Sequence, residues 1–130
     1  MTIPTEMIEH LKERFPLGRF IALPSDNPTE VVCELNRDEM MRWGLAVVMI
    51  GLSRPHYHRK TLEVYTVVRG TLDLYLRKNN TIVIESLSCG RPFMVEPDTI
   101  HWAECVGIPS KVLVTSHPAW NEKDHFLVDP

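Results

Sequence analysis

The chain reads as an all-β domain, and three features of the sequence carry that reading. Candidate strands follow one another at 31–36, 43–52, 63–68, 71–77, 81–86, 92–95, 101–106 and 111–116. They are short, rich in β-branched residues and separated by turn chemistry. Alternation is plain in the fourth, where Leu72, Leu74 and Leu76 interleave with Asp73, Tyr75 and Arg77, the period of a strand with one buried face. Many short strands and few helices build a sandwich or a barrel.

The elements follow in chain order. Residues 5–15 predict a short amphipathic helix, because Ile8, Leu11 and Phe15 recur at i, i+3 and i+7 while Glu6, Glu9, Lys12 and Glu13 take other faces. Thr2 or Thr5 is its candidate cap, and Pro16 with Gly18 ends it. The breaker-rich stretch Pro24-Ser25-Asp26-Asn27-Pro28 is a loop. We expect an N-terminal helical appendage and loop over 1–28 and the barrel over 29–130. Lys78-Asn79-Asn80 predicts a hairpin turn, since Asn tolerates positive φ. Gly70 marks the turn before it.

With 130 residues one domain is expected, large enough for a core without disulfide staples. Lys plus Arg number 14 against 17 Asp plus Glu, a net charge of −3. That balance lacks the concentrated positive charge of a nucleic-acid binder. Cys33, Cys89 and Cys105 are odd in number and have no CxxC spacing, so reduced thiols and a cytoplasmic location are expected. MTIPTEMIEH has no signal-peptide character. The longest uncharged apolar stretch, 43–53, is too short for the roughly 20 residues of a membrane span.

The chemistry concentrates at Pro55-His56-Tyr57-His58. In a strand, residues i and i+2 share a face, so His56 and His58 present two imidazoles toward one point. Glu63 follows five residues later, on the wrong face of a straight strand, and the polar Arg59-Lys60-Thr61 offers a bend that returns it. Two imidazoles and a carboxylate suit Fe(II), Mn(II), Ni(II), Co(II) or Zn(II). His101, behind the turn-forming Pro97-Asp98, is a candidate fourth ligand. Without metal the same residues would form a hydrogen-bonded polar cluster.

His56-Tyr57-His58, then Glu63, then Gly70 resembles the first motif of the cupin superfamily. Gly51 stands one residue nearer the first His than is usual there. The second motif matches in spacing from Gly90 to His101, with Glu96 in place of a Pro, Asp98 in place of a Gly, and Cys105 in place of the terminal Asn. The likeness covers about 43–116, and the tail 117–125 is similar to the ends of small stand-alone cupins. It implies a double-stranded β-helix, the jelly-roll or cupin barrel, with the ligand set His56, His58, Glu63 and His101 and frequent homodimerisation.

From these readings we expect a metal-binding protein that holds a small oxygenated molecule such as a sugar, sugar acid or enolisable ketone. An enzyme of dioxygenase, isomerase or lyase type fits, with the catalytic groups unknown. The alternatives are a non-catalytic binding module for a carbohydrate-like ligand, and a structural dimer with a closed tetrahedral zinc site. Tyr65, Tyr75 and Cys105 are candidate pocket-lining residues, each weighed against ordinary packing. Trp43, Trp102 and Trp120 are expected in core or interface. His10, His117 and His125 are expected at the surface or in packing. Arg54, Arg59 and Lys60 would attract an anion or form a solvated loop. No nucleic-acid or membrane partner is expected.

Overall fold

A computed structural model describes residues 2–105 and 107–128. Met1, Val106, Asp129 and Pro130 lie outside the described residues, including the last position expected in the strand at 101–106. The helix α1 spans Thr5–Arg14 and precedes the strands β1 (Arg19–Leu23), β2 (Glu30–Arg37), β3 (Gly44–Ile50), β4 (His56–Tyr57), β5 (Leu62–Arg69) and β6 (Leu72–Lys78). Then come β7 (Thr81–Leu87), β8 (Phe93–Val95), β9 (Ile100–Glu104), β10 (Ser110–His117), a single 3₁₀ turn at Glu122–Asp124, and β11 (Phe126–Leu127).

Two antiparallel sheets result, one in the order β1-β2-β3-β10-β5-β8 and the other β11-β4-β9-β6-β7. Non-consecutive neighbours such as β3-β10-β5 and β4-β9-β6 mark the jelly-roll connection. The inward residues of both sheets meet in one core. Val48, Ile50, Val67 and Val112 of the first sheet pack with Leu72, Leu74 and Leu76 of the second. The outward face of the first sheet makes a second core, in which Val31, Cys33, Val47 and Met49 receive Ile3 and Leu11 from the N-terminal segment. The sheet that buries both its faces reads as near-continuous apolar sequence in β3 for this reason.

Local chemistry sets the turns. Asn79 and Asn80 have φ of 50° and 66°, the twin positive angles of a hairpin turn whose twist matches its strands. Gly70 turns at φ 86°, and a Cβ there would come within 3.2 Å of Ser110 Oγ. Asp98, in the place of the motif glycine, adopts φ 64°, an angle that Asp reaches more readily than most residues.

Three local expectations are corrected. The helix is capped by neither Thr2 nor Thr5: Pro4 is the N-cap and no side chain caps it. Its fixed φ presets the first turn, and its carbonyl accepts from Met7 N and Ile8 N. A strand exists before Val31, since β1 pairs with β2 from Arg19↔Glu34 to Leu23↔Glu30. Its residues are mostly half-buried on both sides, so no alternation announces it. Finally, only His56 of the two motif histidines stands in a strand, because the chain leaves β4 after Tyr57 and His58 O accepts from Asp98 N at 2.6 Å.

Candidate metal centre

The two sheets deliver the four ligand candidates to one point. His56 in β4 pairs directly with His101 in β9. Glu63, near the start of β5, comes from the opposite sheet, where it faces Val95 and Ser116. His58 sits on the connection between them. The ligand atoms of His56, His58, Glu63 and His101 all lie within 4.8 Å of one another, and all four residues are buried.

The bend that the sequence left unexplained is built on Asp124. Its carboxylate accepts from the backbone of Arg59 (2.9 Å), Lys60 (3.0 Å) and Thr61 (3.2 Å) and from Thr61 Oγ1 (3.2 Å). Three converging N–H groups reverse the chain over Arg59-Lys60-Thr61 and bring Glu63 back to the side of His58. The backbone carbonyl of Asp124 also accepts from His58 Nδ1 at 2.8 Å. Asp124 is therefore a positioning residue that sequence reasoning missed, because its partners lie more than 60 residues earlier.

Each imidazole has its tautomer fixed in the same sense. His56 Nδ1 donates to Arg54 O (2.7 Å), His58 Nδ1 to Asp124 O, and His101 Nδ1 to Thr99 O (2.8 Å). A carbonyl can only accept, so Nδ1 carries the proton and Nε2 keeps its lone pair for the centre. Glu63 Oε1 lies 3.2 Å from both His58 Nε2 and His101 Nε2. With Nδ1 of His101 protonated, its Nε2 and the Glu63 carboxylate face each other at that distance as two acceptors. His58 Nε2 stands in the same relation, and among the described residues it is the buried side-chain atom without a hydrogen-bond partner. A buried nitrogen left unsatisfied costs about 1–3 kcal/mol, and a metal ion at this point satisfies it. Three oriented lone pairs and one carboxylate fit a divalent cation.

The electrostatics suit that reading. Burial would raise the carboxyl of Glu63, but the adjoining His101 and His58 imidazoles outweigh it and hold the group well below its ordinary value. Burial pushes His56 down to about 3, aided by His101 and His125. Burial also presses on His58, but there the nearby Glu63 and Asp124 win and the shift is upward. The centre thus carries a standing negative charge surrounded by proton-binding nitrogens.

A cavity of about 700 Å³ opens beside His56, and a smaller chamber of about 80 Å³ reaches His58, Glu63 and Tyr65. Tyr65 lines that chamber, and its hydroxyl donates to Glu63 Oε1 at 3.5 Å. Tyr75 does not: it stacks on Trp102 at 5.2 Å, on the face opposite its buried neighbours Leu74 and Leu76. Cys105 lines neither cavity, because its thiol is buried against Ile50 O at 3.0 Å in the core. Arg54 lines the larger cavity, whereas Arg59 lies over the Phe126 ring at 4.9 Å.

Three further residues border the centre. His125 stacks on His56 with centroids 4.4 Å apart, and Trp120 Nε1 donates to its Nδ1 at 3.3 Å. Its Nε2 is then the N–H. Burial lowers His125 to about 4, so it is a neutral donor at neutral pH. Glu30 borders both cavities; burial, then the charge of Glu63, raises it to about 7. A carboxylate at the same parity as the inward Val32 was the available signal for Glu30. No comparable signal existed for His125 or Trp120, which arrive through the pairing of β11 with β4.

No family model matches the chain, and no curated protein sequence is similar to it. Solved structures are similar in fold. Oxalate decarboxylase from Bacillus subtilis has a TM-score of 0.73 at 11% identity over 88% of this chain, which spans 31% of that protein. Streptomyces PAC13, solved with uridine, has a TM-score of 0.67 at 17% identity over 88% of this chain and 86% of its own. KdgF from Halomonas sp. has a TM-score of 0.62 at 18% identity over 77% and 87%. These likenesses, together with the strand order, show that the chain has the cupin-type barrel fold.

Proposed function

We propose that this protein is a metal-dependent enzyme acting on a small oxygenated molecule, with the ion held by His56, His58, Glu63 and His101. One observation carries the reading. Three imidazoles are locked in the tautomer that turns their lone pairs to a buried carboxylate, and this cluster opens onto a large cavity. A site that only stiffened the barrel would need no such access. A divalent ion bound there would supply Lewis-acid polarisation of a chelated oxygen. The chain's own groups would do the rest. The Nε2–H of His125 donates to a bound oxygen, and Glu30 exchanges a proton with it. The apolar walls of the cavity exclude water. PAC13, described as a nucleoside dehydratase, and oxalate decarboxylase are enzymes built on the same barrel, which supports but does not choose the reaction.

Two finer features belong to the same proposal. Cys33 and Cys89 are free thiols, which supports a reducing, cytoplasmic setting; no described helix is long and apolar enough to cross a membrane. The edge strand β7 exposes Ile82 and Ile84 by 51% and 54%, which supports a homodimer that covers it. Light scattering that gives only the 15.0 kDa monomer at micromolar concentration would refute the dimer. The enzyme reading is tested by metal analysis and X-ray absorption of protein purified without added metal. One equivalent of a six-coordinate ion is expected, and a closed four-coordinate zinc would overturn the reading.

A further inference from the structure

The larger cavity exceeds what a chelating fragment needs. At about 700 Å³ it falls within the roughly 300–1,000 Å³ of sites for sizeable small molecules, while the chamber at the metal candidates holds only about 80 Å³. Apolar side chains dominate its walls, with Ile21 and Leu23 from β1, Leu52, and Trp120. Two arginines stand among them, Arg19 at the start of β1 and Arg54 two residues before His56.

Three arginines elsewhere in the chain are engaged. Arg42 pairs with Asp38, Arg37 with Glu34, and Arg59 covers Phe126. Neither Arg19 nor Arg54 has an ion pair among the described residues. Arg54 is held in place by the loop that orients the centre, since its carbonyl accepts the His56 Nδ1 proton. The cavity also carries Glu122 and Glu30, the latter partly protonated near neutrality. A divalent ion outweighs the single charge of Glu63. The balance over the whole site is then positive, and an unpaired guanidinium is a fork suited to a carboxylate or phosphate.

We infer that the cavity binds an elongated organic anion, its apolar middle against Ile21, Leu23 and Trp120 and its anionic end held by Arg54 and Arg19. The opposite end reaches the smaller chamber, and in that respect the inference rests on the metal reading. It narrows the substrate to a molecule that pairs a chelating oxygen group with a distal carboxylate or phosphate.

Matched probes test this by calorimetric titration of protein loaded with Zn(II). 3,4-Dihydroxycinnamate places a chelating catechol and a carboxylate at opposite ends of a flat apolar body, and its primary amide removes only the charge. The acid should bind at least about tenfold more tightly than the amide, the order expected for a charge-assisted pair. The preference should shrink to about twofold in Arg54→Gln and in the double variant Arg19→Gln/Arg54→Gln. It should persist in Arg59→Gln, whose guanidinium lies outside the cavity. 3,4-Dihydroxybenzylphosphonate, run in parallel, tells a phosphate-type from a carboxylate-type ligand by which anion binds more tightly. Equal binding of acid and amide, no binding of any probe, or a preference untouched in the double variant would overturn the inference. Zinc content is measured on the same samples. Protein that keeps no zinc yet prefers the acid sinks the metal reading and leaves this one standing; protein that keeps zinc without preference does the reverse.

Discussion

Replacing Asp124 with Ala should damage the metal centre although Asp124 touches no metal. Its carboxylate gathers four donors, and two of them, Thr61 N and Thr61 Oγ1, belong to a residue only 2% exposed. Water cannot reach these two easily, and each hydrogen bond to a charged acceptor contributes about 1.5–3 kcal/mol. Arg59 and Lys60 are exposed, so their N–H groups regain water and add little. The variant should lose about 3 kcal/mol of stability in the metal-free state, counting the two buried bonds with some relaxation. The loop also sets the spacing of His58 and Glu63, so metal affinity should fall by about 10–100-fold, as it does when groups that orient ligands are removed. Asp124→Asn should be milder. Its single oxygen, turned to the Oδ2 position, keeps three of the four donors and leaves only Arg59 N facing an amide NH2. Urea denaturation of chelator-treated protein and competition with a chromophoric chelator measure the two effects. If Asp124→Ala binds metal as tightly as the parent, or if Asn and Ala are equally damaging, the loop is not held in the way described.

His58→Ala should lower metal occupancy strongly, since it removes one of four ligands; unchanged stoichiometry in elemental analysis would mean that other residues hold the ion. Acidification should destabilise the metal-free fold. His56 and His125 fall to about 3 and about 4 from 6.5, so below about pH 6.5 the unfolded chain takes up protons that the fold refuses. The lowered Glu63 contributes stability above its unfolded value and loses it as pH falls through the folded one. The raised His58 works in the opposite direction, its contribution complete in acid and lost as pH rises through its folded value. Glu30, raised to about 7, also opposes the loss, adding stability as pH falls from about 7 toward 4.5. The three lowered groups still outweigh these two, so the melting temperature should drop from pH 7 to pH 4. Metal-loaded protein should drop further, because protons displace the ion from three imidazoles. Superimposable holo and chelator-treated melting curves from pH 8 to pH 5 would rule out metal at this cluster. Asp98→Ala should cost about 1 kcal/mol and Asp98→Gly about zero, because position 98 holds φ 64° and a Cβ without local polar compensation is strained there; chemical denaturation with Ala no worse than Gly would refute that account.

What was legible in the sequence was local or repeated. Alternation in Leu72-Asp73-Leu74-Tyr75-Leu76 reports a strand with one buried face because side chains change sides at every residue. Asn79-Asn80 reports a hairpin because few residues accept positive φ. The spacing of His56, His58, Glu63 and His101 reports a ligand set because oriented nitrogen and oxygen donors are expensive to bury without use. All four do converge, and Tyr65 joins them.

What only the tertiary structure decided depends on partners distant in the chain. The bend before Glu63 exists because the carboxylate of Asp124 lies under it, 63 residues after Thr61. His125 and Trp120 reach the cavity because β11 adds to β4, a pairing of two residues too short to carry a periodic signal. β1 joins the sheet with both faces half-buried and so hides its alternation. Tyr75 stayed open between pocket and packing for the complementary reason. Its polarity and size suit a pocket as well as a surface, and only the inward parity of Leu74 and Leu76 assigns it to the outer face, against Trp102. A sequence states which side of a strand a residue takes, whereas the assembled sheets decide whether that side meets a core, a cavity or solvent.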